Sequence, residues 1–157
     1  MTRALTLADV IRPEHVFVRL RVADKPRLIQ ELARRAAAAL DLPAAELAAA
    51  LSAREALGST GVGAGIAVPH AQVPQLAATA AFFAQLDRPV DFASVDGRPV
   101  DLVFLLLGPP QARGEHLTLL AAGTRRLRDR AVADALRAAG SAEAVRALLI
   151  AEPAGPL

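Results

Sequence analysis

Cysteine is absent from the 157 residues, and so are tryptophan and tyrosine. Without thiols there is no disulfide framework, no thiolate nucleophile and no cysteine-containing metal site. Aromatic residues make up only 3% of the chain, so the stacking platforms that single-stranded nucleic acid requires are missing. Lysine is nearly absent too: Lys25 stands alone and the other cationic side chains are arginine. That explains a net charge of only +2 beside a pI near 10.3, because arginine stays protonated at high pH. So small a charge argues against a nucleic-acid partner, and the one basic cluster, Arg125-Arg126-Leu127-Arg128, reads as a solvated helix face or a partner contact. No apolar run approaches the ~20 residues of a membrane span; Leu102 to Leu107 is far too short. The N-terminus lacks the layout of a signal peptide. The expectation is a cytoplasmic protein with no direct membrane insertion.

Aliphatic side chains fill the gap, in a chain that is 54% hydrophobic. Such a length fits one domain over 1–157, with a core from about 7 to 150 and a frayed tail over 153–157. The patterning mixes both periodicities. Thr6 to Ile11 reads as a capped helical turn. His15 to Val22 alternates, with Val16, Val18, Leu20 and Val22 on one face. Asp24 is an N-cap ahead of Leu28, Ile29, Leu32, Ala36 and Leu40 at helical spacing, and Pro43 opens a second helix carrying Leu47 and Leu51. Ala77 to Leu86 reads as a central strand broken by Asp87-Arg88-Pro89. Asp96-Gly97 marks a turn, and Val100 to Leu107 belongs in the middle of a sheet. After the loop 108–114, a helix beginning at His116 buries Leu117, Leu120 and Leu127. Two more follow, Arg130 to Ala139 and one capped by Ser141. Interleaved helices and strands with one hairpin predict an α/β fold, a mixed central β-sheet flanked by helices.

The chemistry gathers in Arg54 to His70, R-E-A-L-G-S-T-G-V-G-A-G-I-A-V-P-H. Arg54 and Glu55 close a helix. Gly58, Gly61, Gly63 and Gly65 form a loop too glycine-rich to be regular, able to aim N–H groups at one anion. Ile66-Ala67-Val68 is a short buried strand stopped by Pro69, with His70 just beyond. A P-loop would need G-K-[ST] opening a helix, and Lys25 lies far upstream. A dinucleotide fingerprint needs strand, glycines, helix, and here the order is helix, glycines, strand. No histidine pair has zinc spacing, so no metal is expected, and G-x-S-x-G is absent. A flexible surface loop is the bland alternative.

This run, with H-L-T-L-L-A starting at His116, resembles the enzyme IIA components of the bacterial phosphotransferase system, in the fructose/mannitol-type group and nearest its nitrogen-regulatory branch. The resemblance covers roughly Leu7 to Ile150. It implies a compact α/β sandwich and a phosphohistidine carrier without cofactor. On that reading His70 accepts a phosphoryl group from a histidine phosphocarrier protein and passes it to regulatory target proteins or to an enzyme IIB. Arg54 would neutralise phosphoryl charge, N–H groups around Gly61, Gly63 and Gly65 would add donors, and His116 would hydrogen-bond the phosphoryl group or the imidazole. Two competing roles stay open: Arg54 pairing with Glu55 or covering a helix end, and His116 capping a helix. His15 fits no site pattern. Ala71 stands where the family commonly has glycine, and Gln72 where nitrogen-branch members commonly have lysine. These departures leave three outcomes: a regulatory carrier, a sugar-transport IIA, or an interaction module of the same fold that has lost the relay.

Overall fold

Two long apolar strands carry the architecture. In the computed structural model, which describes residues 4–151, β5 (Ala80–Val90) and β6 (Val100–Gly108) pair antiparallel around the turn at Asp96-Gly97. Apart from the exposed Asp87-Arg88-Pro89 stretch, their side chains are buried on both faces, which is why neither shows polar alternation. β1 (Val16–Leu20) adds parallel to β5 on one side. Beyond β6 lie β2 (Gly61–Gly63) and β3 (Ile66–Ala67), an antiparallel hairpin; β3 runs parallel to β6, and β4 (His70–Gln72) continues along the same strand. The order is β1-β5-β6-β3-β2, with β4 also on β6, a mixed sheet as expected.

Helices cover both faces. On one lie α2 (Lys25–Leu40) and α3 (Ala44–Ala56), whose Leu28, Leu32, Leu47 and Leu51 pack with Phe82, Phe92 and Leu105. On the other, α1 (Leu7–Val10), α4 (Arg113–Arg128), α5 (Arg130–Ala138) and α6 (Ala142–Ile150) bring Leu119, Leu127, Leu136 and Leu149 against Phe83, Phe104 and Leu106. At ~1.5–3 kcal/mol per fully buried Leu or Phe, these two clusters are the main driving force for folding. Asp24 and Ser141 cap their helices as expected, accepting from the Arg27 and Ala144 N–H groups.

Several local expectations are corrected. The glycine run is not irregular: Gly61 and Gly63 form β2, and Ala64-Gly65, with φ of 57° and 81°, makes the two-residue turn to β3. Leu20 does not share a face with Val16. Arg19 adopts φ 52° at a bulge, so Leu20 joins Phe17 in the α2–α3 layer while Val16 faces the other. β5 starts three residues later than expected and runs through Pro89 to Val90, the Asp87-Arg88-Pro89 stretch marking an irregularity rather than an end. α4 begins at Arg113, ahead of His116. Its buried stripe is His116, Leu119, Gly123 and Leu127; Leu117 is 56% exposed. The Arg125–Arg128 cluster is partly structural, since Arg126 donates to the Leu148 carbonyl and Arg128 to that of Val62. The tail over 153–157 lies outside the described residues. Among the described residues no helix is long and apolar enough to cross a membrane.

Candidate functional site

Pro69 interrupts the strand between β3 and β4 and gives no N–H to the ladder. His70 therefore opens β4, opposite Leu106, with its side chain half-buried at the end of the α3–β2 turn. The imidazole is oriented locally: Nδ1 lies 2.9 Å from the Val68 carbonyl. A carbonyl only accepts, so Nδ1 carries the proton and Nε2 presents its lone pair. Arg54, in the last turn of α3, faces that nitrogen with Nε–H at 3.4 Å and gives an NH1 hydrogen to the Gly58 carbonyl at 3.0 Å.

His116 approaches from the other side of the sheet's end, in the first turn of α4. Its ring centroid lies 5.6 Å from that of His70, the planes tilted by 59°. It is 5% exposed, and its Nδ1 has no protein hydrogen-bond partner. Burial pushes its pKa below the ordinary 6.5, and positive charge on His70 pushes the same way. His116 therefore stays neutral at pH 7. Gly108 makes room for it: a Cβ there would fall 3.1 Å from His116 Nδ1 and 3.2 Å from Thr79 Oγ1. Thr79, just ahead of β5, in turn donates to Glu115 at 2.7 Å, pinning the start of α4 to the chain entering that strand.

Arg54, His70 and His116 are therefore brought together, and the three glycines are not. Ile66 is opposite Leu102 and His70 opposite Leu106, so at ~3.3 Å per residue Ile66 lies roughly 13 Å down the sheet from His70, and the Ala64-Gly65 tip lies beyond it. The Gly61 N–H donates to Ser59 Oγ and that of Ala64 to Asp96. A Cβ on Gly61 or Gly65 would strike Ser94, Arg137 or Asp101. These glycines shape a hairpin packed on the 94–101 segment. His15 is elsewhere, buried and stacked on Phe82 with Nδ1 donating to the Ala81 carbonyl at 3.0 Å. Among the described residues no three His, Asp or Glu side chains converge as a metal site would require. What sequence reasoning missed is the Val68 carbonyl, a backbone group no motif displays, and the contacts of Gly108 and Thr79 with the His116 turn.

A nucleophilic imidazole nitrogen flanked by a guanidinium and a second, neutral imidazole is an arrangement suited to holding a phosphoryl group. Residues 9–152 match the family model described as the phosphoenolpyruvate-dependent sugar phosphotransferase system, EIIA 2. The chain belongs to this family. A nitrogen regulatory protein of Bradyrhizobium diazoefficiens is 43% identical over 150 residues, covering 96% of this chain and 98% of the relative. The crystal structure of nitrogen regulatory protein IIA-Ntr from Neisseria meningitidis superposes with a TM-score of 0.87 at 34% identity, over 91% of this chain and 98% of that one. The IIA mannitol structure from Escherichia coli follows at 0.73 and 25%, over 87% and 96%. The family's α/β sandwich is thus the fold seen in this chain.

Proposed function

We propose that this protein is a cytoplasmic phosphoryl carrier that accepts a phosphoryl group on His70 Nε2 from a histidine phosphocarrier protein and acts in the nitrogen-regulatory branch of the system. The observation that carries the reading is the orientation of one ring. Val68 holds the Nδ1 proton, so the nucleophilic lone pair is on the nitrogen that Arg54 faces.

The steps follow from that geometry. The Nε2 lone pair attacks phosphorus of the donor phosphohistidine; the donor N–P bond breaks and its electron pair returns to the donor ring. The His70 ring keeps its Nδ1 proton against the Val68 carbonyl and becomes cationic, offset by the negative phosphoryl oxygens. Arg54 moves its charge from the lone pair onto those oxygens. Neutral His116 meets them as a donor with its proton on Nε2, since its buried Nδ1 has no hydrogen-bond partner to hold a proton there. The glycine hairpin takes no part in oxygen binding on this scheme. The nitrogen branch is favoured by identities of 43% and 34% to nitrogen regulatory proteins, against 25% to the mannitol protein.

Phosphoenolpyruvate with the general phosphotransferase components should add one acid-labile phosphoryl group to the wild type and none to His70→Ala, read by intact mass and phosphorus NMR. Equal phosphorylation of the variant would move the acceptor elsewhere. An unphosphorylated wild type beside a working control acceptor would leave an interaction module. Onward transfer to an enzyme IIB would favour a transport role over regulation.

A further inference from the structure

Lys25 occupies a place where a cation is disfavoured. It is the first residue of α2, at the positive end of the helix dipole. Its ammonium is nevertheless held by three groups: Glu55 Oε2 at 2.9 Å, the Phe92 carbonyl at 3.1 Å, and the Phe92 ring, whose centroid is 4.3 Å away. The Glu55 side chain is only 6% exposed. A carboxylate that deep is tolerated when its partner and remaining lone pairs are all supplied. Glu55 meets that condition, accepting also from the Thr60 N–H at 3.2 Å and from the Thr60 hydroxyl.

Two paths of hydrogen bonds leave this pair; one ends on His70 Nδ1 and the other on the Arg54 guanidinium that faces Nε2. In one, the Thr60 carbonyl accepts the Val68 N–H at 2.9 Å, and the Val68 carbonyl accepts His70 Nδ1–H at 2.9 Å. In the other, the Glu55 carbonyl accepts the Gly58 N–H at 3.1 Å, and the Gly58 carbonyl accepts Arg54 NH1 at 3.0 Å. Ser59 ties the intervening turn to the same Phe92 carbonyl that Lys25 uses, at 2.7 Å.

We propose that the Lys25–Glu55 pair is the positioning device of the site, fixing His70 in its Nδ1–H tautomer and holding Arg54 against Nε2. The proposal rests on the reading of His70 as acceptor. Neither residue touches the reacting atoms. Their leverage is tautomeric: if Thr60 and Val68 lose register, the imidazole can carry its proton on Nε2, which removes the lone pair from the attacking nitrogen. A pair that merely stabilised the fold would change the unfolding midpoint and nothing else.

The test uses the full chain labelled with nitrogen-15 histidine, above about pH 8 where imidazole is neutral. His70 should be an Nδ1–H tautomer in the wild type and a mixture gaining Nε2–H in Lys25→Met. The limiting rate of phosphoryl transfer from saturating phosphocarrier should drop by roughly tenfold or more with KM nearly unchanged. Lys25→Arg should restore both. Glu55→Gln keeps an oxygen for Thr60 but loses the charge for Lys25, and it supplies the same readouts should Lys25→Met not fold. Wild-type tautomer and limiting rate in folded Lys25→Met or Glu55→Gln, with only a lower midpoint, would overturn the proposal. The tautomer is read without any phosphoryl donor. If it moves in Lys25→Met while even the wild type takes no phosphate, the acceptor reading fails and the positioning of the ring stands.

Discussion

Arg54 shows how much one side chain's shape decides. Its Nε–H faces His70 while its NH1 is anchored on Gly58, a fork that two separate nitrogens make possible. Lysine keeps the charge and loses the fork, so an ammonium anchored on Gly58 cannot also reach the phosphoryl oxygens. Arg54→Lys should therefore lower the limiting phosphoryl-transfer rate by about 100- to 1000-fold, the scale of one lost transition-state donor, with little change in melting temperature. Stopped-flow transfer from phosphorylated carrier decides it; a rate within twofold of wild type would mean that charge alone suffices. Gln72 is a different case. It is exposed on β4, and nothing in the described structure gives it a contact that bears on the reaction.

At the scale of elements, α4 is set by one close approach. A Cβ on Gly123 would lie 2.5 Å from the Phe104 ring, inside a layer with no room to yield. Alanine is a better helix former than glycine by about 1 kcal/mol, yet overpacking of this kind costs about 1–3 kcal/mol. Gly123→Ala should thus destabilise despite its propensity gain, by a net of up to about 2 kcal/mol in urea unfolding. A raised midpoint would show that the helix lifts off Phe104 freely. The same elements show what the sequence made legible. Asp24, Ser141 and the turn at Asp96-Gly97 carried their own local chemistry, and the long strands were visible in their composition. The motif likewise pointed to Arg54, His70 and His116. The glycine run was misleading because φ > 0 serves an anion loop and a hairpin turn equally, and only the pairing partner distinguishes them. Leu117 was misassigned because the His116–Leu127 stretch has leucines on two faces, and the stripe that meets Phe104 is the one containing a glycine. Nor does periodicity reveal the bulge at Arg19, since a single positive φ flips every later side chain.

For the whole molecule, the buried imidazoles couple stability to acidity. His15 and His116 both have pKa values lowered below 6.5, in each case chiefly by burial. Unfolding frees them to bind protons, so the unfolded state takes up more protons than the native one as pH falls through 6.5. Their stabilising contribution is present above that value and is lost below it. A second loss comes at lower pH. Glu31, bonded first to Arg34 and then to Arg35, is held down to about 2, and Asp96 is lowered by the N–H groups of Ala64 and Arg98. The urea midpoint should fall between about pH 7.5 and about pH 5.5, before any carboxylate titrates. A midpoint flat over that interval would mean that neither ring is protected from protons in the native state.

The pairing order has a consequence in polymer terms. Val90 and Val100 meet across a short turn, whereas Arg19 reaches Gln85 over 66 positions. Closing the longer loop costs about 1.5–2 kcal/mol more in chain entropy than closing the shorter one. The β5–β6 hairpin is thus the least costly long-strand contact in the chain, and β6 is the strand on which β4 lines up. His70 consequently takes its position from a strand pair that carries no catalytic side chain of its own.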